Sequence, residues 1–182
     1  MISDGSSSSE FACASSNAVV NKASEFFILN REKLFDNVQS AFKSLIFDIQ
    51  GLLLKMAVKL ETTLDKMSCT MLILCINTHT HEYTALNIGD GIIAKKSKNG
   101  WETILYPENG TSKRYTFFVN SKNVFRHIFI CKEIYKKGDV FFAGTDGCFE
   151  NCFTEKQYSD RIENIDNIKN YFDDATYCIA KD

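Results

Sequence analysis

At Met67 the apolar pattern of this chain changes its period, and that change limits the folds open to it. Before it, Leu34, Val38, Ala41, Phe42, Leu45 and Ile49 recur at steps of three and four, the spacing of one helix face. After it, residues 69–76 form an unbroken apolar run, the mark of a strand covered on both faces. The helical part reads as two helices, about 10–29 and 31–66, joined near Asn30. Ser9 followed by Glu10 fits a helix start, and Gly51 marks a break. The strand-like part gives segments at 69–76, 83–88, 92–96 and 101–106. Turn signals separate them at Thr78-His79-Thr80-His81, Gly89-Asp90-Gly91 and Lys98-Asn99-Gly100. Further apolar segments lie at 115–119, 124–132 and 140–143. Helical propensity returns over 154–171, and a strand at 176–180 closes the chain. Helices followed by antiparallel strands predict an α+β layered fold.

The 182 residues suit a single domain, read as 1–182. Net charge is −2 and the basic residues are scattered, which argues against nucleic acid. No run approaches the roughly 20 apolar residues of a membrane span. The seven cysteines are odd in number, lie mostly in apolar runs and make no CxxC pair. They read as reduced, buried thiols of a cytoplasmic protein.

Three acidic motifs stand at strand ends: Ser3-Asp4-Gly5, Thr145-Asp146-Gly147 and Asp173-Asp174-Ala175-Thr176. Carboxylates brought together at strand ends make a site for hard cations, while each Asp-Gly taken alone is an ordinary turn signal. The segment from Gly138-Asp139 through an apolar strand to Asp146-Gly147 is the sharpest of these signals. His79 and His81 read as an exposed turn, and His127 as a core or cross-strand residue. Lys113 and Arg114 read as a solvated loop, and the many phenylalanines, Phe141 and Phe142 among them, as core.

The order of these segments resembles the PP2C-type (PPM) metal-dependent Ser/Thr protein phosphatases of compact bacterial type. The matching residues are Ile2-Ser3-Asp4-Gly5 with Ser7-Ser8, then Ser68-Cys69-Thr70, then the hairpin Ala85-Leu86-Asn87-Ile88-Gly89-Asp90-Gly91. Gly138-Asp139 through Asp146-Gly147 and Asp173-Asp174-Ala175-Thr176 complete the set. The resemblance implies a four-layer α-β-β-α sandwich of two antiparallel sheets flanked by helices. It also implies two Mg²⁺ or Mn²⁺ ions: Asp4 bridging them, Gly5 offering its carbonyl to one, Asp146 and Asp173 holding the other. The activity implied is hydrolysis of phosphoserine or phosphothreonine in proteins by a metal-bridged water. Asp90 is read as a structural turn residue.

The chain departs from that family pattern at its start. The family's upstream strand, with its acidic ligand and phosphate-binding Arg, would precede Met1, so the chain reads as N-terminally truncated. Ser6 stands where many eukaryotic members carry a His, and Ser7 where Gly is usual. Two other readings are therefore kept: a catalytically impaired module that binds a phosphoprotein or a Ser/Thr kinase partner, and a plain α+β interaction protein.

Overall fold

The computed structural model describes residues 1–108, 116–147 and 177–181. Its helical part is α1 (Ala12–Asn30), the single turn α2 (Lys33–Asp36) and α3 (Val38–Lys59). A 3-10 turn at Leu64–Met67 leads into the sheets. On α3, Ala41, Phe42, Leu45, Ile46, Ile49, Leu53 and Ala57 are buried, one stripe at helical spacing. On α1, Ser15, Val19 and Ala23 are buried, and their small side chains suit close packing of one helix on another. Ser15 Oγ donates to the Phe11 carbonyl one turn back (2.8 Å), so its hydroxyl is buried with a partner.

The expected helix over 31–66 is three pieces. Asn37 has φ −138° and ψ 70°, and its Oδ1 accepts from the Ser40 N–H (3.2 Å), so it ends one turn and caps the next. Gly51 does not break α3; it lies inside it. Ser9 does not cap α1 through its side chain. Its carbonyl accepts from Ala12 N–H, and its hydroxyl donates to the Asp65 carbonyl.

The strands are β1 (Met71–Asn77), β2 (Glu82–Ile88), β3 (Ile92–Ser97), β4 (Gly100–Leu105), β5 (Phe129–Ile134), β6 (Val140–Gly144) and β7 (Tyr177–Lys181). They form two antiparallel sheets, β1-β2-β5 and β4-β3-β6-β7. Strand alternation sorts the side chains into layers. Met71, Ile73, Leu86 and Ile88 join the core beneath the helices, together with Val19, Phe42, Leu45 and Ile49. Leu72 and Ala85, on the opposite face, pack between the sheets with Ile2, Ile93, Leu105 and Ala143. Burying one such Leu or Ile side chain contributes about 1.5–3 kcal/mol.

The structure refines three readings of the strand region. Of β1, Met71–Ile73 is buried and the rest half-buried, because residues 2–5 cover only its start on the outer edge of its sheet. The segment 124–132 begins as a 3-10 turn (Val124–Arg126), and the strand starts only at Phe129. Phe117–Val119 is not a strand; Val119 is a core residue under the helices. The expected helix over 154–171, the motif Asp173-Asp174-Ala175-Thr176, and Lys113, Arg114, Cys148 and Cys152 lie outside the described residues.

Candidate functional site

Residues 2–5 run antiparallel to the start of β1. Ile2 and Leu72 exchange both backbone hydrogen bonds (2.9 and 2.8 Å), and Gly5 bridges Cys69. This pairing fixes Asp4. Its backbone N–H donates to Thr70 Oγ1 (3.1 Å), and its carbonyl accepts from the Thr70 N–H (2.8 Å). Ser3 Oγ donates to the Thr70 carbonyl (2.7 Å). Gly5 backs onto the first turn of α1: a Cβ there would lie 2.8 Å from Ala12 backbone atoms. The first Asp-Gly is thus a wedge between β1 and α1, where a side chain has no room.

The second acidic motif follows β6. Thr145 is buried and Asp146 half-buried, and Asp146 Oδ1 accepts from the Gly147 N–H (2.9 Å). The Gly89-Asp90-Gly91 turn between β2 and β3 touches both motifs' supports. Gly89 has φ +117°, and a Cβ on it would lie 2.6 Å from Thr70 Cγ2. A Cβ on Gly91 would lie 2.4 Å from Leu72 Cδ1 and 3.0 Å from the Gly144 carbonyl oxygen. Across the sandwich, Ile2 and Ala143 share one apolar cluster. The supports of the Asp4 and Asp146 segments, Thr70 and Gly144, thus both lie beside this turn.

The turn is itself tied down. Asn87, fully buried, donates through Nδ2 to the carbonyls of Gly91 and Tyr106 (both 2.9 Å). The Glu108 N–H donates to the Gly89 carbonyl (2.9 Å), and Thr116 Oγ1 donates to Asp90 Oδ2. That bond suits the reading of Asp90 as a turn residue. His127 is not in a strand: its Nδ1–H donates to Glu108 Oε1 (2.8 Å), and its ring stacks on Phe117 (centroids 3.4 Å apart, planes at 9°). No short sequence spacing signals this pair; only folding brings Glu108 and His127 together.

Asp4, the Gly5 carbonyl and Asp146 are all hard oxygen donors, and their chemistry fits Mg²⁺ or Mn²⁺. Among the described residues no three His, Cys, Asp or Glu side chains gather as one metal-binding group. Asp173 lies outside those residues. His79 and His81 belong to the β1–β2 turn. Asn77 Oδ1 accepts from the N–H groups of His79 and Thr80 there, and the His81 ring meets Tyr135 edge-on at 5.4 Å. Near Asp4, burial pushes the Cys69 thiol up to about 11, with a hydrogen bond from Ser3 opposing and the Asp4 charge adding to the rise.

The Protein phosphatase 2C family model matches residues 1–176. No curated protein matches the chain in sequence. Among solved structures, it is similar to the catalytic domain of the serine/threonine phosphatase PstP in complex with two manganese ions. That likeness has TM-score 0.64 and 9% identity, over 85% of this chain and 69% of that one. It is also similar to RsbX in complex with magnesium (TM-score 0.58, 20% identity, 97% of this chain and 77% of that one). A Stage II sporulation E family protein of Thermanaerovibrio acidaminovorans gives TM-score 0.64 and 12% identity, over 98% and 92% of the two chains. At these identities the likeness speaks for the fold.

Proposed function

The chain belongs to the protein phosphatase 2C family, and on that premise we propose that it hydrolyses phosphoserine and phosphothreonine in proteins with the help of two Mg²⁺ or Mn²⁺ ions. The observation that supports this reading is that the Gly89-Asp90-Gly91 turn lies next to both Thr70, which bonds Asp4, and Gly144, two residues before Asp146. In this reading residues 1–182 act as one phosphatase domain. Asp4, the Gly5 carbonyl, Asp146 and Asp173 are the residues that would hold the ions. The ions supply positive charge that makes water more acidic and offsets charge on the phosphoryl oxygens. The chain's own part is orientation. Two backbone bonds to Thr70 fix the Asp4 main chain, and the short Asp146–Gly147 bond fixes one carboxylate oxygen.

The substrate in this reading is a phosphoprotein, and a Ser/Thr kinase acting on the same protein is a natural partner. No helix among the described residues is long and apolar enough to cross a membrane. Cys13, Cys69, Cys75, Cys131 and Cys178 are all free thiols, which supports a reducing, cytoplasmic setting.

The test is Mn²⁺-dependent hydrolysis of a small aryl phosphate, with a chelator and Asp146→Asn as controls. The amide oxygen of Asn can still accept from the Gly147 N–H, so the loop is kept while the charge is lost. A chelator should abolish the rate. Asp146→Asn should lower it at least about 100-fold, since even residues behind the ligands cost 10–100-fold. An unchanged rate in Asp146→Asn would sink the assignment.

A second reading is a phosphoprotein-binding module with an impaired site. It is favoured by Ser6 and Ser7, which stand where many members carry His and Gly. Calorimetric titration with Mn²⁺ separates the two: tight binding of two ions supports the enzyme, and no binding supports the module.

A further inference from the structure

We propose that Glu108 and His127 are positioning residues that clamp the Gly89-Asp90-Gly91 turn, and through it set the placement of the Asp4 and Asp146 segments. The clamp itself is read from this chain's contacts alone. Its effect on cation binding rests on the phosphatase reading above.

Glu108 acts at two points. Its backbone N–H holds the Gly89 carbonyl (2.9 Å), and its carboxylate Oε1 receives His127 Nδ1–H (2.8 Å). The other oxygen, Oε2, is buried and has no hydrogen-bond partner among the described residues. The single bond from His127 is therefore the only described hydrogen bond that compensates this carboxylate for its loss of water. Without it, the half-buried Glu108 carboxylate loses this hydrogen bond, and turning towards water is the least costly way to replace it. Glu108 would then hold the Gly89 carbonyl by its backbone alone, without the side-chain anchor to His127.

His127 is held in turn by its stack on Phe117, whose carbonyl oxygen lies 3.3 Å from the Cβ position of Gly89. The neighbouring Thr116 bonds Asp90. The turn is thus gripped from the Glu108 side at Gly89 and from the Thr116–Phe117 side at both Gly89 and Asp90, and His127 joins the two sides. The turn has no room for a side chain towards the acidic segments: a Cβ on Gly89 would clash with Thr70, which holds Asp4, and one on Gly91 would lie 3.0 Å from the carbonyl oxygen of Gly144, two residues before Asp146. Loosening the clamp would shift Thr70 relative to Gly144. A cation that needs oxygens from both segments senses that shift directly, because Mg²⁺ and Mn²⁺ tolerate little change in ligand spacing.

The test compares three variants with the wild type. His127→Phe keeps a ring to stack on Phe117 and removes the donor. His127→Asn places an amide nitrogen near the position of Nδ1 and restores a donor without the ring. Leu53→Ala, in the core beneath α3, is a control for general loss of stability. Two quantities are read: amide hydrogen exchange of residues 89–91 in metal-free protein, and Mn²⁺ affinity by calorimetry.

The clamp predicts that His127→Phe speeds exchange at 89–91 and weakens Mn²⁺ binding, each by about tenfold. His127→Asn should recover most of both. Leu53→Ala should lower the melting temperature without singling out the turn. The proposal is overturned if exchange at 89–91 in His127→Phe equals that of the wild type, or if Leu53→Ala loosens the turn as much. Wild-type protein that binds no Mn²⁺ would overturn the phosphatase reading instead, and exchange at 89–91 would then decide the clamp alone.

Discussion

Gly89 and Asn87 show how single residues hold the site end. Gly89 sits at φ +117°, where side chains are rarely accommodated, and a Cβ there would clash with Thr70. Gly89→Ala should destabilise the fold by about 2–4 kcal/mol, the sum of overpacking and left-handed strain, measurable by urea unfolding. Asn87 is fully buried and serves two carbonyls. Asn87→Leu would leave both acceptors buried without a donor, and should cost about 2–4 kcal/mol. A midpoint within experimental error of the wild type in either variant would refute the corresponding contact. The sequence placed Asp4, Gly5 and Asp146 at strand ends; the structure puts Asp146 just past β6, while Asp4 and Gly5 lie in a short segment bridged to the start of β1. It gave no hint of Glu108 and His127. Their partnership depends on a 3-10 turn and a ring stack that no short-range pattern encodes.

At the scale of elements, α3 was legible because its apolar stripe persists through most of its 22 residues. Its ends were not. Asn37 and the segment after Lys59 are polar breaks whose effect depends on local backbone bonds. Gly51 was misread for a physical reason: a glycine signals a break only where the backbone needs freedom, and here it is merely a small residue on an exposed face. Nothing lies within 4 Å of its Cβ position. Gly51→Ala should therefore stabilise the protein by about 0.5–1 kcal/mol, seen as a higher melting temperature. A lower one would show that the helix surface is covered in solution. The segment 124–132 was misread because a short apolar run does not distinguish a buried 3-10 turn from a strand.

For the whole molecule, burial of thiols makes stability depend on pH. Burial raises the Cys69 and Cys75 thiols from 9.0 to about 11 and about 12. Cys131 also rises, first by burial and then by the nearby charge of Glu133. Above pH 9 the unfolded chain loses these protons while the native state keeps them. Stability is thus complete below about pH 9 and falls as pH climbs through the native values. Cys69 and Cys75 should each remove about 1.4 kcal/mol per pH unit in that window. Urea unfolding at pH 8 and pH 10 checks the sign, and stability that rises with pH would contradict it. Alkylation at neutral pH should label exposed Cys13 and spare Cys69.

The sequence by itself determined the α3 stripe, most of the strand meander and the position of Asp146 after a strand, because each rests on a local period or a local turn. Only the tertiary structure decided which strands share a sheet, that residues 2–5 pair with the start of β1, and that the Gly89–Gly91 turn lies beside the supports of both Asp4 and Asp146. These are contacts between residues dozens of positions apart. They are selected by the joint packing of two sheets and a helical layer, and no local pattern carries that information.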